Sequence, residues 1–201
     1  MTEGAPTDLR ERTRRLVRQQ ISETATQLFI EHGFAATTIE QIAEAAGVSR
    51  RSFFRYFPSK EDVILGELVE RGPLVAAALA ARPEHEPPWD ALRAALLSLR
   101  QSRAQDDRAE FEIGRMLYET PTLRARHLEK QLAWESLLVP VLAERIRSTV
   151  QNTTIDPELQ ASAIVSGSLA CLDVASKTWI LGNGARDLTQ LYDEAVAAIR
   201  S

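Results

Sequence analysis

The stretch Thr37 to Lys60, TTIEQIAEAAGVSRRSFFRYFPSK, constrains this chain more than any other part of it. Ile39, Ile42, Ala43 and Ala46 recur at three- and four-residue steps, the spacing of a short helix with one buried stripe. Thr37 with Glu40 fits a capping box at its start, the hydroxyl serving an orphan N–H and the carboxylate reaching back. Gly47 then supplies a turn conformation that a side chain would oppose. Val48 packs the corner, and Ser49 is a good N-cap for a second helix from Arg50 to Phe57. Phe53 and Phe57, four residues apart, share a face that pins this helix to its neighbours. Two short helices joined by a glycine turn make a helix-turn-helix, a unit that places its second helix in the DNA major groove.

The outward side of the second helix carries Arg51, Ser52, Arg55 and Tyr56. Arginine donates two hydrogen bonds to guanine in the major groove, and Ser and Tyr hydroxyls suit phosphates or bases. The residues expected at DNA are therefore Thr37, Thr38, Ser49, Arg50, Arg51, Ser52, Arg55, Tyr56 and Lys60, with Arg51, Ser52 and Arg55 reading bases. Taken alone, the second helix also fits a basic amphipathic segment docked on an acidic partner. The capped helix and AGVS turn in front of it favour DNA.

The net charge of −4 argues against general nucleic-acid affinity until it is divided along the chain. Residues 1–66 balance nine basic against nine acidic side chains, and the acidic excess lies entirely in residues 67–201. The positive charge is also clustered. Arg10, Arg12, Arg14, Arg15 and Arg18 form a basic run on the first helix, and Arg50, Arg51, Arg55 and Lys60 have no acid among them. Such local patches set an electrostatic footprint. The first run is expected to extend it by phosphate contact.

Helical spacing continues nearly everywhere else, and no alternating or β-branched run is long enough for a sheet. The fold class is all-α, with about nine helices. The first runs from about Leu9 to Glu31, with Val17, Ile21, Thr24, Ala25, Leu28 and Phe29 as its stripe and Gly33 as its cap. Pro58 stops the second helix of the helix-turn-helix, and Ser59 caps the next, which continues past Gly72-Pro73 as a kinked helix to about Leu79. That helix joins the reading head to the rest and is the natural lever between them. A Pro-rich loop at 81–88 precedes helices near Trp89–Arg103 and Arg108–Tyr118. Pro121 opens another through Arg147, with a kink at Pro140. Asn152 to Thr154 reads as a loop, Pro157 starts a long helix ending at Gly182, and Asp187 or Leu188 starts the last. These elements divide into a DNA-binding domain over 1–58, ordered from about residue 9, and a helical effector-binding and dimerisation domain over 59–201.

Thr37-Thr38-x-x-x-Ile42-Ala43-x-x-Ala46-Gly47-Val48-Ser49, followed by Phe57-x-Ser59-Lys60, resembles the N-terminal signature of TetR-type transcriptional regulators. The resemblance covers roughly residues 12–66. It implies a three-helix DNA-binding domain, a larger helical domain that binds an effector and dimerises, and phosphate contacts at Tyr56 and Lys60. Phe54 departs from the tyrosine common in the wider family and is expected to pack. Arg51 stands where glycine is common and adds a contact to base or phosphate. In the second half, Thr120-Pro121-x-Leu123-Arg124-Ala125-Arg126, Trp134, Asp156-Pro157, Trp179 and Asp187-Leu188 resemble the subgroup that includes the regulator of mycofactocin systems. That likeness implies an acyl-CoA-like ligand.

The partners expected are a double-stranded, palindromic operator, a second copy of the chain as homodimer, and a small effector that releases DNA. The effector is expected among Leu96, Leu117, Trp134, Leu138, Leu172 and Trp179, with plain core packing as the alternative. Arg124 and Arg126 fit either surface cations, the preferred reading, or partners for an anionic ligand group. Small or slim residues on the long helix, Ile164, Ser168, Cys171 and Ala175, with Leu188, Tyr192, Ala195 and Ile199 on the last helix, are expected at the dimer interface. Their alternative is packing within one chain.

No cofactor, metal or catalytic site is expected. His32, His85 and His127 are scattered without ligand-spaced partners, and no phosphate-cradling loop or nucleophile elbow appears. Cys171 is alone, which rules out an internal disulfide. The N-terminal residues lack the apolar core of a signal peptide and no apolar run approaches membrane-spanning length, so a cytoplasmic location without membrane contact is expected. The rival in function is a helical ligand-binding or protein-interaction module whose helix-turn-helix no longer reads specific DNA.

Overall fold

A computed structural model describes residues 5–101, 107–149 and 154–200. Among these residues all regular structure is helical. The elements are α1 (Ala5–His32), α2 (Ile39–Ala45), α3 (Arg50–Tyr56), α4 (Glu61–Ala80), α5 (Pro88–Gln101), α6 (Asp107–Glu119), α7 (Pro121–Thr149), α8 (Pro157–Leu181) and α9 (Leu188–Arg200). Arg103, Asn152 and Thr153 lie outside the described residues. The chain separates into two compact units, Met1–Glu67 and Leu68–Ser201.

In the first unit, Ile21, Ala25 and Phe29 make the buried stripe of α1. Gly33, at φ +85°, ends that helix with its N–H on the Phe29 carbonyl, and Phe34 folds back so that its ring lies 5.0 Å from that of Phe29. Ile42 and Ala43 of α2 and Phe53 of α3, with Phe57 just past it, complete the core. The break between units falls inside α4, beyond residue 58, for a visible reason. Val63, Ile64 and Leu65 are buried, and Gly66 faces Arg18 and Phe57, so the first turns of α4 pack with the first unit.

The second unit is built around α8, which packs most extensively against α7 and α9. One core cluster joins Val75, Leu79, Leu92, Leu96, Trp134, Leu138, Leu142, Ile164 and Val165. A second joins Cys171, Ala175, Trp179, Ile180, Leu188 and Tyr192. Asp156 caps α8 by accepting from the Glu158 and Leu159 N–H groups at 3.0 and 2.9 Å, with Pro157 in the first turn where its missing N–H costs nothing. Among the described helices α8 alone has the length and apolarity to cross a membrane, and much of that apolar surface is buried against α7 and α9.

Pro73 and Pro140 lie within α4 and α7, which continue through them. A proline removes one intrahelical hydrogen bond, and both lie on exposed faces where water replaces it. The loop between α4 and α5 is held from outside itself. Arg145 of α7, only 9% exposed, donates to the Arg82 carbonyl at 3.1 Å, to that of Glu86 at 3.0 Å and to that of Pro83.

Candidate nucleic-acid interface and polar core of the second unit

The helix-turn-helix is assembled by local chemistry. Thr38, not Thr37, caps α2, accepting from the Gln41 N–H at 3.2 Å while the Gln41 side chain accepts from the Thr38 N–H at 2.8 Å. The capping box is therefore shifted by one residue from the Thr37–Glu40 pairing. Thr37 is 1% exposed, and its hydroxyl donates to the Gly33 carbonyl at 2.9 Å. It has nothing to offer DNA, which corrects its placement among the contact residues. Gly47 takes φ +67° with open space where a Cβ would stand, so the backbone angle alone makes glycine necessary. Ser49 caps α3, accepting from the Ser52 N–H at 3.1 Å.

This leaves one face of α3 for solvent. Phe53 and Phe57 are buried, while Arg50, Arg51 and Arg55 are exposed and Ser52 and Tyr56 partly so. Arg50 pairs with Glu40 of α2 at 3.1 Å, and the Arg55 guanidinium lies 5.1 Å from the Tyr56 ring and donates to its hydroxyl at 3.3 Å. These two cations are pre-oriented. Phe54 is 42% exposed, edge-on to Phe53 at 5.7 Å and beneath the Arg50 guanidinium, so it packs on one side only. Of the α1 arginines, Arg10, Arg12, Arg14 and Arg15 are exposed, whereas Arg18 is half-buried over the Phe57 ring at 4.9 Å.

Lys60 is directed elsewhere. Its ammonium donates to the carbonyls of Phe34 at 2.8 Å and Thr37 at 3.1 Å, reaches that of Ala35 at 3.5 Å, and lies 4.5 Å from the Phe34 ring centre. All three donor directions of the ammonium point at the α1–α2 turn. Its geometry is that of a clamp on the turn between α1 and α2.

In the second unit the six residues expected around an effector do not form one lining. Leu96, Trp134 and Leu138 belong to the first core cluster, Trp179 to the second, and Leu172 touches both. Leu117 is buried. Trp179 lines a cavity of about 460 Å³ with Arg108, Phe111, Arg186 and Leu188. A second cavity, of about 560 Å³, lies between α5 and α9, lined by Trp89, Arg93, Tyr192, Asp193 and Arg200. Arg93 and Asp193 pair across it by two hydrogen bonds of 2.5 and 2.6 Å.

The stripe expected at the dimer interface is largely filled from within. Ile164, Ser168, Cys171, Ala175, Leu188 and Tyr192 are all buried inside a single chain, and Ser168 and Tyr192 share a hydrogen bond of 2.5 Å between α8 and α9. Atoms already packed this way cannot also face a second copy, which corrects their placement. Of that set only Ile199 is exposed, at 58%, with Ala195 half-buried. The opposite face of α8 shows Leu159, Ala163, Ser166, Ala170, Val174 and Leu181, spaced close to a seven-residue repeat. The sequence obscured this because both faces of α8 are apolar or small, so periodicity alone did not tell inside from outside.

A polar cluster between α6, α7 and α8 includes Arg124 but none of the six apolar residues expected around the effector. Asp173 of α8 accepts from both terminal nitrogens of Arg124 at 3.0 and 2.9 Å and from the Tyr118 hydroxyl at 2.9 Å. His127 Nε2 is 3.5 Å from the same carboxylate. Although burial opposes ionisation of Asp173, its hydrogen bonds with His127, Arg124 and Tyr118 hold its carboxyl well below the usual range. Lys130 is 8% exposed, over the Trp134 ring at 4.5 Å, and burial pulls its ammonium down to about 8 against the weaker pull of Asp173. Arg124 is thus an internal partner of Asp173 rather than a surface cation, while Arg126 pairs with Glu129 at the surface. The available signal was the spacing of His127, Lys130 and Trp134, which puts two titratable groups and an indole on one helix face. Among the described residues no group of three or more His, Cys, Asp or Glu side chains is placed to hold a metal ion.

Comparison with known proteins adds to this geometry. A family model described as bacterial regulatory proteins, tetR family, matches residues 21–66, and one described as the MftR C-terminal domain matches residues 86–201. The chain is 34% identical to the transcriptional regulator TcmR of Streptomyces glaucescens over 96% of its own length and 86% of that protein's. It is 31% identical to the transcriptional repressor AcnR of Corynebacterium diphtheriae over 92% of each. Among solved structures it is similar to the repressor FadR of Thermus thermophilus in complex with lauroyl-CoA, at 26% identity and a TM-score of 0.54, covering 90% of this chain and 91% of that one.

Proposed function

The chain belongs to the TetR family of bacterial regulatory proteins, and we propose that it is a homodimeric repressor of a palindromic operator, released from DNA by a small apolar effector. The observation that carries this is the α3 face, where Arg51, Ser52, Arg55 and Tyr56 are turned outward while Phe53 and Phe57 anchor the helix. Arg51 and Arg55 read base edges, Ser52 reads a base or positions on phosphate, and Thr38, Ser49, Arg50 and Tyr56 hold the backbone. The α1 arginines add phosphate contacts and a dependence of affinity on salt.

Two copies meet through the outer face of α8, where Leu159, Val174 and Leu181 are 65%, 56% and 75% exposed. Small residues between them allow a close approach, and two-fold pairing would set recognition helices about one duplex turn, roughly 34 Å, apart. An effector of the acyl-bearing kind is supported by the likeness to FadR bound to lauroyl-CoA. Such a ligand lowers DNA affinity by binding one spacing of the reading heads better than the other, a coupling of about 1–3 kcal/mol. The change is carried by α4, whose residues continue from the first unit into the second.

The test is selection of bound fragments from random genomic DNA at about 0.15 M salt. An enriched motif with two-fold symmetry supports the reading. Recovery of random sequence only would favour a helical binding module that does not read DNA.

A further inference from the structure

Burial makes Lys130 costly to keep charged. It is 8% exposed, and its Nζ lies over the Trp134 indole, 4.5 Å from the ring centre. The carboxylate that partly offsets it, Asp173, is already bound by Arg124 and Tyr118. Two cations, Arg124 and Lys130, therefore share one anion, and beside them the Nδ1 of His127 is buried without a partner. Burial opposes the charged ammonium, and an anion joining it offsets that cost. The charged and polar groups facing this point are Arg124 and His127 from α7, Asp173 from α8 and Tyr118 from α6. They leave a positive balance.

We infer that Lys130, with the free Nδ1 of His127 beside it, is the anchor for the anionic end of an apolar effector whose body lies along Trp134. This rests on the effector-responsive reading above and adds to it the charge of the ligand. One uncompensated positive charge matches a single carboxylate or one phosphate oxygen pair. A free carboxylic acid and a CoA thioester supply such oxygens from different parts of the molecule. The same position gives the ligand a route to α4. Trp134 Nε1 donates to the Leu68 carbonyl at 3.1 Å, and Gly72 is so close that a Cβ there would stand 3.0 Å from the indole. A ligand that moves the Lys130–Trp134 pair therefore moves a side chain wedged against α4.

The test titrates the full-length protein with dodecanoate, dodecanoyl-CoA and neutral dodecanol, in the wild type and in Lys130→Met and Lys130→Arg, by calorimetry and thermal shift. Lys130→Met removes the charge at similar length and leaves an apolar chain on Trp134, so it is expected to fold at least as stably as the wild type. Expected is binding of one or both anionic probes, weakened about 10- to 100-fold in Lys130→Met and largely kept in Lys130→Arg, with dodecanol indifferent to both substitutions. The probe that loses affinity identifies the source of the anion. Equal binding of all three probes, unchanged affinity in Lys130→Met, or no binding of either anion to the wild type overturns the anchor. Selected DNA is bound in the same experiments without probe. Lys130→Met that still binds DNA separates loss of the anchor from loss of the regulator reading, which fails only if the wild type selects no motif.

Discussion

The ammonium of Lys60 donates to the main-chain oxygen of Phe34 at 2.8 Å while resting against the same residue's ring. A lysine expected at phosphate thus holds together the turn between α1 and α2. Replacing it with Met should destabilise the protein by about 1–3 kcal/mol, seen as a lower denaturation midpoint. The slope of log affinity for random DNA against log salt should not change, whereas Arg14→Ala should reduce its magnitude by about one unit per lost phosphate contact. A reduced slope in the Lys60 variant would return that residue to the phosphate.

Arg51 is exposed on α3, whereas Arg50 is paired with Glu40 and Arg55 with Tyr56. Arg51→Ala should weaken binding to the selected motif by about 1–3 kcal/mol and relax preference at one base position. Competition between the motif and scrambled DNA measures both. The same loss on both DNAs would assign Arg51 to the backbone.

Gly47→Ala tests conformation without crowding. The added methyl meets no atom within 4 Å, but φ +67° costs an L residue about 1–2 kcal/mol. Chemical denaturation should show that loss. A neutral result would mean that the turn relaxes away from the left-handed region.

Lys130 and Asp173 carry opposite pH signatures. Burial lowers the Lys130 pKa from 10.5 to about 8, so between those values the unfolded chain holds a proton that the folded one has released. Stability therefore rises with pH through that window, by at most about 3 kcal/mol, and Lys130→Met should remove the rise. Asp173 has a depressed pKa, so its contribution is present above the ordinary carboxylate range and is lost only as pH falls well below it. Asp173→Asn should cost about 2–4 kcal/mol at neutral pH, because Arg124 keeps its partial burial without its partner. Denaturation curves from about pH 2 to about pH 11 on wild type and both variants are the measurement.

Val174→Glu places a charge in the middle of the exposed α8 stripe. It should convert a dimer to a monomer by sedimentation without lowering helicity, since the residue is 56% exposed in the single chain. An unchanged dimer would move the interface off this face.

Much of the first unit was legible because its determinants are local. A Gly47 turn, a Ser49 cap and Phe53 with Phe57 at four-residue spacing act within a few residues of themselves. The capping box was misplaced by one because two threonines stand side by side, and only the fold distinguishes the one whose hydroxyl is needed inside. The second unit was legible in its helix punctuation, with Asp156-Pro157 and Pro121 at helix starts, but not in its faces. Ser168 was taken for an interface residue although it meets Tyr192, twenty-four positions away, inside the chain. Asp173, Arg124 and Tyr118 converge from three helices, and no spacing along the sequence announces a pairing of that range.

Arg145 donates its hydrogen bonds to the loop after α4 at carbonyl oxygens, those of residues 82, 83 and 86. Main-chain oxygens are the same whatever side chain the residue bears. The shape of this loop is thus insulated from most of its own sequence, and Glu84 and His85 are free to drift under any selection acting on the surface. The cost of that freedom is concentrated in one distant side chain, so a single change at Arg145 exposes the loop to all the variation it had been able to hide.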